Sequence, residues 1–149
     1  MSQAISIFGL GYVGAVTAAC LAHKGHHVTG VDLNPLKVQA LESGTTPIVE
    51  PGIGELIAES RRACRLHATT DSAAAVLATD VSFLCVGTPS LRNGKLDLGH
   101  IEPVCRQIGD VLKKKSSFHL VVIRSTVLPG TAEFIVVPAL EEASGKRLG

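Results

Sequence analysis

The sequence predicts an α/β fold, a doubly wound sheet of five parallel strands in the order 3-2-1-4-5. Two observations carry this expectation. Short apolar runs alternate along the whole chain with amphipathic or alanine-rich stretches, the pattern of parallel strands joined by crossover helices. A glycine-rich turn, Gly9-Leu10-Gly11-Tyr12-Val13-Gly14, follows the first apolar run and opens the first helical stretch, where Rossmann-type folds place their tightest connection. Composition agrees: 149 residues, 46% hydrophobic and 18% charged, suit one compact domain and not a disordered chain. A formal net charge of +1 without a long basic run supplies no field for nucleic acid or an anionic membrane.

Each element has a local reason. Ala4–Phe8 is an apolar first strand, and Tyr12–Lys24 is a helix of small residues closed by Gly25. His27–Val31 is the second strand. Asn34-Pro35 then supplies an N-cap and a proline at the first helical position, so a helix runs to about Ser43 and stops at Gly44. Thr45–Gly54, with Pro47 and Pro51, is a loop before a helix over Glu55–Ala63. Arg65–Thr69 is the third strand, and Asp71 caps a brief helix. Val81–Val86 is the fourth strand, ending in Gly87-Thr88-Pro89, and Asn93-Gly94 marks a turn. Asp97 is the expected cap of a helix reaching Lys114, in whose solvated last turn Lys113-Lys114-Lys115 suits the dipole. His119–Ile123 is the fifth strand, and Pro129-Gly130 opens a last helix that fades at Ser144-Gly145. A sheet of this kind normally adds a sixth strand, so a chain truncated before that strand is expected. The fifth strand would then be an open apolar edge that invites pairing, hence an expected homo-oligomer.

Cys20, Cys64, Cys85 and Cys105 form no C-x-x-C pair, and the six histidines show no metal-ligand spacing. Unpaired cysteines, a start without the basic and apolar parts of a signal peptide, and no apolar run of membrane-spanning length suggest a cytoplasmic protein. His26, His27 and His119 begin strands and are read as surface or edge residues.

The glycine loop gains weight from its surroundings, with a strand before it, a helix after it and Asp32 at the end of the next strand. Gly9 permits the tight turn, Gly11 lets backbone approach a pyrophosphate, and Gly14 lets the helix pack on the strand. The pyrophosphate would sit at the helix N-terminus. The carboxylate of Asp32 suits ribose hydroxyls and repels a 2′-phosphate, and neither Leu33 nor Asn34 attracts one. The expected cofactor is therefore NAD in preference to NADP. FAD proteins more often carry Glu at the acidic position and need flavin-binding segments not found here.

The chain also resembles the UDP-glucose/GDP-mannose dehydrogenase family. The resemblance rests on Ile7-Phe8-Gly9-Leu10-Gly11-Tyr12-Val13-Gly14, Gly30-Val31-Asp32, Pro47-Ile48-Val49-Glu50-Pro51-Gly52, Cys85-Val86-Gly87-Thr88-Pro89 and Arg124-Ser125-Thr126-Val127-Leu128-Pro129-Gly130-Thr131. Asp80–Ser90 and Asp97–Glu102 carry a narrower likeness within it. The resemblance implies oxidation of the C6 alcohol of a nucleotide sugar to a carboxylate by two NAD, with a cysteine holding the intermediate as a thioester. It implies that residues 1–149 are the NAD-binding Rossmann domain at the front of a longer dehydrogenase, whose central and C-terminal domains are absent here. Tyr12 and Val13 match residues whose backbone meets the pyrophosphate, and Asp32 and Lys37 match those beside the adenosine ribose. Thr88 and Thr126 match cofactor-site positions, with Thr126 also assisting near the reacting centre.

Blander roles stay open for some of these. Lys37 could be a solvated helix lysine, Thr88 a turn residue, Thr126 a cap for the helix after Pro129, and Glu50 a substrate contact or a loop former. The family's cysteine lies in a Gly-Ser-Cys segment, and no cysteine here has that setting. Cys85, inside an apolar strand, should stay a protonated thiol. This chain alone should bind NAD without turning over a nucleotide sugar. A stand-alone NAD-sensing module and a β-hydroxyacid dehydrogenase cofactor domain are the competing readings.

Overall fold

The computed structural model describes residues 2–92, 94 and 96–149. Five strands, β1 (Ala4–Phe8), β2 (His27–Val31), β3 (Leu66–Thr69), β4 (Val81–Leu84) and β5 (Leu120–Ile123), form one parallel sheet ordered β3-β2-β1-β4-β5, as expected. The helices are α1 (Tyr12–His23), α2 (Pro35–Glu42), α3 (Ile53–Arg62), α4 (Ser72–Leu77), α5 (Ile101–Leu112) and α6 (Val137–Ser144).

Alternation along each strand divides the core. Ile5, Ile7, Val28 and Leu66 face one way and pack with the α1 alanines Ala18, Ala19 and Ala22 and with Ile53 and Ile57 of α3. Phe8, Val31 and Leu84 face the other way, against Val76 of α4, Ile101, Cys105 and Ile108 of α5, and Leu140 of α6. Burial of each large aliphatic contributes about 1.5–3 kcal/mol, so the two clusters hold helices on both faces and leave the carboxyl ends of the strands free for a ligand.

Capping explains several boundaries. Asn34 Oδ1 accepts from Leu36 N–H at 3.0 Å and Asp71 Oδ1 accepts from Ala74 N–H at 3.0 Å, the expected N-cap bonds. Asp97 departs from expectation. Its Oδ1 accepts from Gly99 N–H at 2.9 Å, so it closes a turn, and α5 starts later, after His100. Pro103, at the third helical position, lacks only an N–H that the first turn does not use. The fourth strand ends at Leu84 and not Val86: the N–H groups of Arg124 and Ser125 both donate to the Leu84 carbonyl, at 2.9 and 2.8 Å, and the Val86 carbonyl accepts instead from Ser125 Oγ at 2.6 Å. α3 begins at Ile53, ahead of the expected Glu55, after Gly52 in a left-handed conformation (φ 79°). The last helix opens as a π-helical turn, Ala132–Val136, just before Pro138 of α6, where proline cannot donate the ordinary i→i−4 bond. Asn93 of the expected Asn93-Gly94 turn lies outside the described residues.

Two expectations for the end of the sheet opposite the glycine loop are corrected. Lys113 and Lys114 are exposed as expected, but Lys115 is only partly so. Its ammonium donates to the carbonyls of Val76 (3.0 Å) and Thr79 at the C-terminus of α4, where the dipole favours a cation. His119 does lead into the edge strand β5, but it is half-buried and not a surface residue, with Nε2 2.8 Å from Ser82 Oγ and Nδ1 3.2 Å from Lys115 Nζ. Ser82 Oγ lies 2.6 Å from Ser6 Oγ, and Thr79 Oγ1 donates to that Ser6 oxygen at 3.1 Å. This buried chain of hydroxyls needs partners because an unpaired polar atom there is costly.

Candidate functional site

Register decides where the site forms. Thr69, Val31, Phe8, Leu84 and Ile123 pair in one row across the sheet, so all five strands end level. The next residue of each strand, Thr70, Asp32, Gly9, Cys85 and Arg124, lines a single cleft of about 830 Å³. That size and position suit a cofactor at the carboxyl ends of a doubly wound sheet.

The glycine loop crosses the middle of the cleft. Gly9 has φ +96°, and a Cβ there would lie 2.8 Å from the Cys85 carbonyl oxygen. A Cβ on Gly14 would overlap the Gly9 carbonyl oxygen, so this glycine sets how closely α1 packs on the loop. Gly11 differs, since a Cβ there meets nothing within 4 Å. It faces open cleft at the head of α1 and supplies no capping side chain. The first-turn N–H groups of Tyr12, Val13 and Gly14 therefore have no intrahelical partner, and with the helix dipole they form an anion cradle.

Asp32 is bound into this loop. Its Oδ2 accepts from Leu10 N–H at 2.7 Å and lies 3.4 Å from Lys37 Nζ, while Oδ1 accepts from Asn34 N–H at 2.9 Å. Its side chain is 12% exposed and that of Lys37 37%. Three of about four acceptor positions are filled, which locks the carboxylate in place with one position left toward the cleft. Lys37 is an ion-pair partner of Asp32 and not a free surface lysine.

At the other end, Thr88 Oγ1 donates to the Thr126 carbonyl at 2.7 Å and ties the ends of β4 and β5 together. The last helical segment starts at Ala132 after Thr131, so Thr126 does not cap it and lines the cleft instead. Cys85 is buried and its thiol is pushed up to about 11 by that burial, which the Arg124 charge only partly offsets. It stays protonated at neutral pH and is no nucleophile. The Tyr12 phenol is held above its ordinary pKa, first by hydrogen bonding to Glu50, then by burial and by the Glu50 charge.

The structure thus gathers Gly9, Gly11, Tyr12, Val13, Asp32, Lys37, Thr88 and Thr126 on one cleft, with Gly14 behind it in the packing. Sequence reasoning missed Thr70, at the end of β3, and one face of α5, Pro103, Val104 and Gln107. The three- and four-residue spacing of that face was readable, but nothing local said which helix would close the cleft.

Comparison with known proteins decides the family. The description of the UDP-glucose/GDP-mannose dehydrogenase family, NAD binding domain, matches residues 3–149. The chain belongs to this family. Its cofactor is NAD, as the glycine loop and Asp32 had indicated. GDP-mannose 6-dehydrogenase of Azotobacter vinelandii is 58% identical over 145 residues, 97% of this chain and 33% of that enzyme. Among solved structures, a ternary complex of GDP-mannose dehydrogenase from Pseudomonas aeruginosa superposes with a TM-score of 0.96 at 56% identity, covering 97% of this chain and 33% of that one. A UDP-glucose dehydrogenase from Pyrobaculum islandicum gives 0.94 at 40% identity, over 99% of this chain and 34% of the other. The chain thus spans a third of the length of the curated relatives it matches. Among the described residues, no helix is long and apolar enough to cross a membrane.

Proposed function

We propose that this chain is the NAD-holding, N-terminal part of a dehydrogenase that oxidises C6 of a nucleotide sugar to the acid, with GDP-mannose as substrate and GDP-mannuronate, an alginate precursor, as product. One observation carries the reading. The cleft at the level carboxyl ends of the five strands joins an anion cradle, a fixed carboxylate and the Thr88–Thr126 link in one groove. The GDP-mannose assignment draws on the 58% identical relative. The structural likeness to a UDP-glucose dehydrogenase makes UDP-glucose the second candidate.

When bound, NAD accepts the hydride; the chain's own residues provide position. The N–H groups of Tyr12 and Val13 hold the pyrophosphate, and Asp32, steadied by Leu10 N–H and Lys37, takes the adenosine ribose. Thr88 and Thr126 border the reacting end, where the Thr126 hydroxyl assists in orienting the substrate. The thioester nucleophile implied by the family belongs to another part of the parent enzyme, because Cys85, the one cysteine among the described residues lining the cleft, is a buried, protonated thiol. Residues 1–149 are accordingly one NAD-binding domain that binds cofactor without catalysis. Four unpaired cysteines suit a cytoplasmic enzyme. The open edge of β5, with Leu120 46% exposed, supports a homo-oligomer.

Calorimetry on the 149-residue chain tests the reading. NAD binding that exceeds NADP binding, with no NADH formed from GDP-mannose, is the expected result. An absence of NAD binding, or steady NADH production by this chain alone, overturns it.

A further inference from the structure

The adenosine end of the cleft carries a group that no ribose or phosphate contact uses. With the pyrophosphate at the head of α1 and the ribose at Asp32, the base continues away from Thr88 and Thr126. Besides the residues already described, the cleft is lined by Val31, Leu33 and Thr70 around the ends of β2 and β3 and by Pro103, Val104 and Gln107 of α5, the lining left for the base. α5 packs along α4, its Val104 packs against the core cluster that holds Val31 at the end of β2, and its Val104 and Gln107 line the same cleft as Val31 and Thr70. Val31 and Val104 give apolar walls for a flat ring. Gln107 is exposed and lines the cleft, whereas the next polar group of α5, Arg106, is occupied by Glu102 at 3.1 Å and Glu142 at 3.0 Å.

We propose that Gln107 reads the base of the dinucleotide, selecting adenine by a forked pair of hydrogen bonds to its amino edge. Adenine presents a donor, the N6 amino group, beside an acceptor ring nitrogen. Matching that edge takes one group with an acceptor and a donor side by side, which a carboxamide has. A Thr70 hydroxyl has a single oxygen and a carboxylate only accepts. Among the described residues lining the cleft, Gln107 is the one carboxamide. Its place one helical turn beyond Pro103 and Val104 sets it on the same face, beside the ring those residues border. The inference rests on NAD occupying this cleft and adds which chemical group distinguishes its purine.

The test compares NAD with nicotinamide 1,N6-ethenoadenine dinucleotide, in which the N6 donor is tied into a third ring. Dissociation constants are measured by calorimetry for the 149-residue chain and for Gln107→Met, a substitution of similar length at an exposed helix position. The wild type is expected to prefer NAD by roughly tenfold or more, the range of a good forked pair to a base. Gln107→Met should weaken NAD binding by a similar factor and leave binding of the etheno compound within about twofold, so that the preference collapses. An unchanged preference in Gln107→Met overturns the assignment of Gln107 while NAD binding itself stands. Failure of the wild type to bind NAD overturns both this inference and the cofactor reading beneath it. An unchanged thermal midpoint of the variant assigns the effect to binding and not to folding.

Discussion

Replacing Gly11 by alanine should separate binding from stability in a way that neither neighbouring glycine allows. Gly11 has φ −76° and ψ −165°, a conformation open to alanine, and the added Cβ meets no atom within 4 Å. Two effects on stability oppose each other. Alanine restricts the unfolded chain, which contributes about 0.4–1 kcal/mol, and it is a poorer N-cap than glycine by an amount on the order of 1 kcal/mol. The net change is near zero. At about 2–4 °C per kcal/mol for a chain of this size, the melting midpoint should move by no more than about 3 °C. Binding behaves differently. The methyl group occupies the space through which the pyrophosphate approaches the N–H groups of Tyr12 and Val13. Hydrogen bonds to a charged partner are worth about 1.5–3 kcal/mol each. Displacing two of them weakens NAD binding by about a hundredfold or more, measured by calorimetry against wild type. Gly14→Ala forms the contrast, because its Cβ would overlap the Gly9 carbonyl. Forced overpacking of this kind costs about 1–3 kcal/mol, so that variant should melt earlier even without cofactor. Wild-type NAD affinity in Gly11→Ala would refute the cradle, and an unaltered midpoint in Gly14→Ala would refute the packing role of the third glycine.

Three further outcomes are expected. Asp32→Ala removes the acceptor that Leu10 N–H, Asn34 N–H and Lys37 share and the charge that repels a 2′-phosphate; the ratio of NAD to NADP affinity should fall at least tenfold, on the scale of one lost charged hydrogen bond, and an unchanged ratio in calorimetry would count against ribose recognition there. His119 is held below its ordinary pKa, first by burial and then by the Lys115 charge. The unfolded chain thus binds a proton that the folded one refuses, so stability from this site is complete above about pH 6.5 and declines as the pH falls below that value; urea midpoints at pH 5 and pH 7.5 should differ less in His119→Gln than in wild type, and an equal difference would exclude His119 as the source. Finally, iodoacetamide at pH 7.5 should label the exposed Cys64 well before the buried Cys85, whose thiol is pushed up to about 11, and mass spectrometry showing Cys85 labelled first would contradict its inert role.

Much of the fold was legible because its signals are local. Asn34 with Pro35 and Asp71 cap the helices that follow them, since the capping bond lies within a few residues. Asp97 shows where such reasoning stops. An aspartate can bond the N–H two residues on as readily as it caps a helix, and here the turn to Gly99 won. Lys115 and His119 misled for another reason. Their partners are Val76, Thr79 and Ser82, more than thirty positions away, and only the packing of α4 against α5 and the pairing of β4 with β5 bring them within reach. The Gln107 face of α5 was missed on the same ground.

What the chain itself determined is the alternation of strands and helices, the two-residue period that gives the sheet two buried faces, and a turn in which Gly9 and Gly14 answer backbone requirements. Those follow from side-chain volume and dihedral freedom within a few residues. Tertiary structure alone decided that Thr69, Val31, Phe8, Leu84 and Ile123 fall in one row. That register depends on helices on both faces finding their seats together, and it sets residues as far apart in sequence as Gly9 and Arg124 on one cleft. The cleft exists because the five strands end at one level.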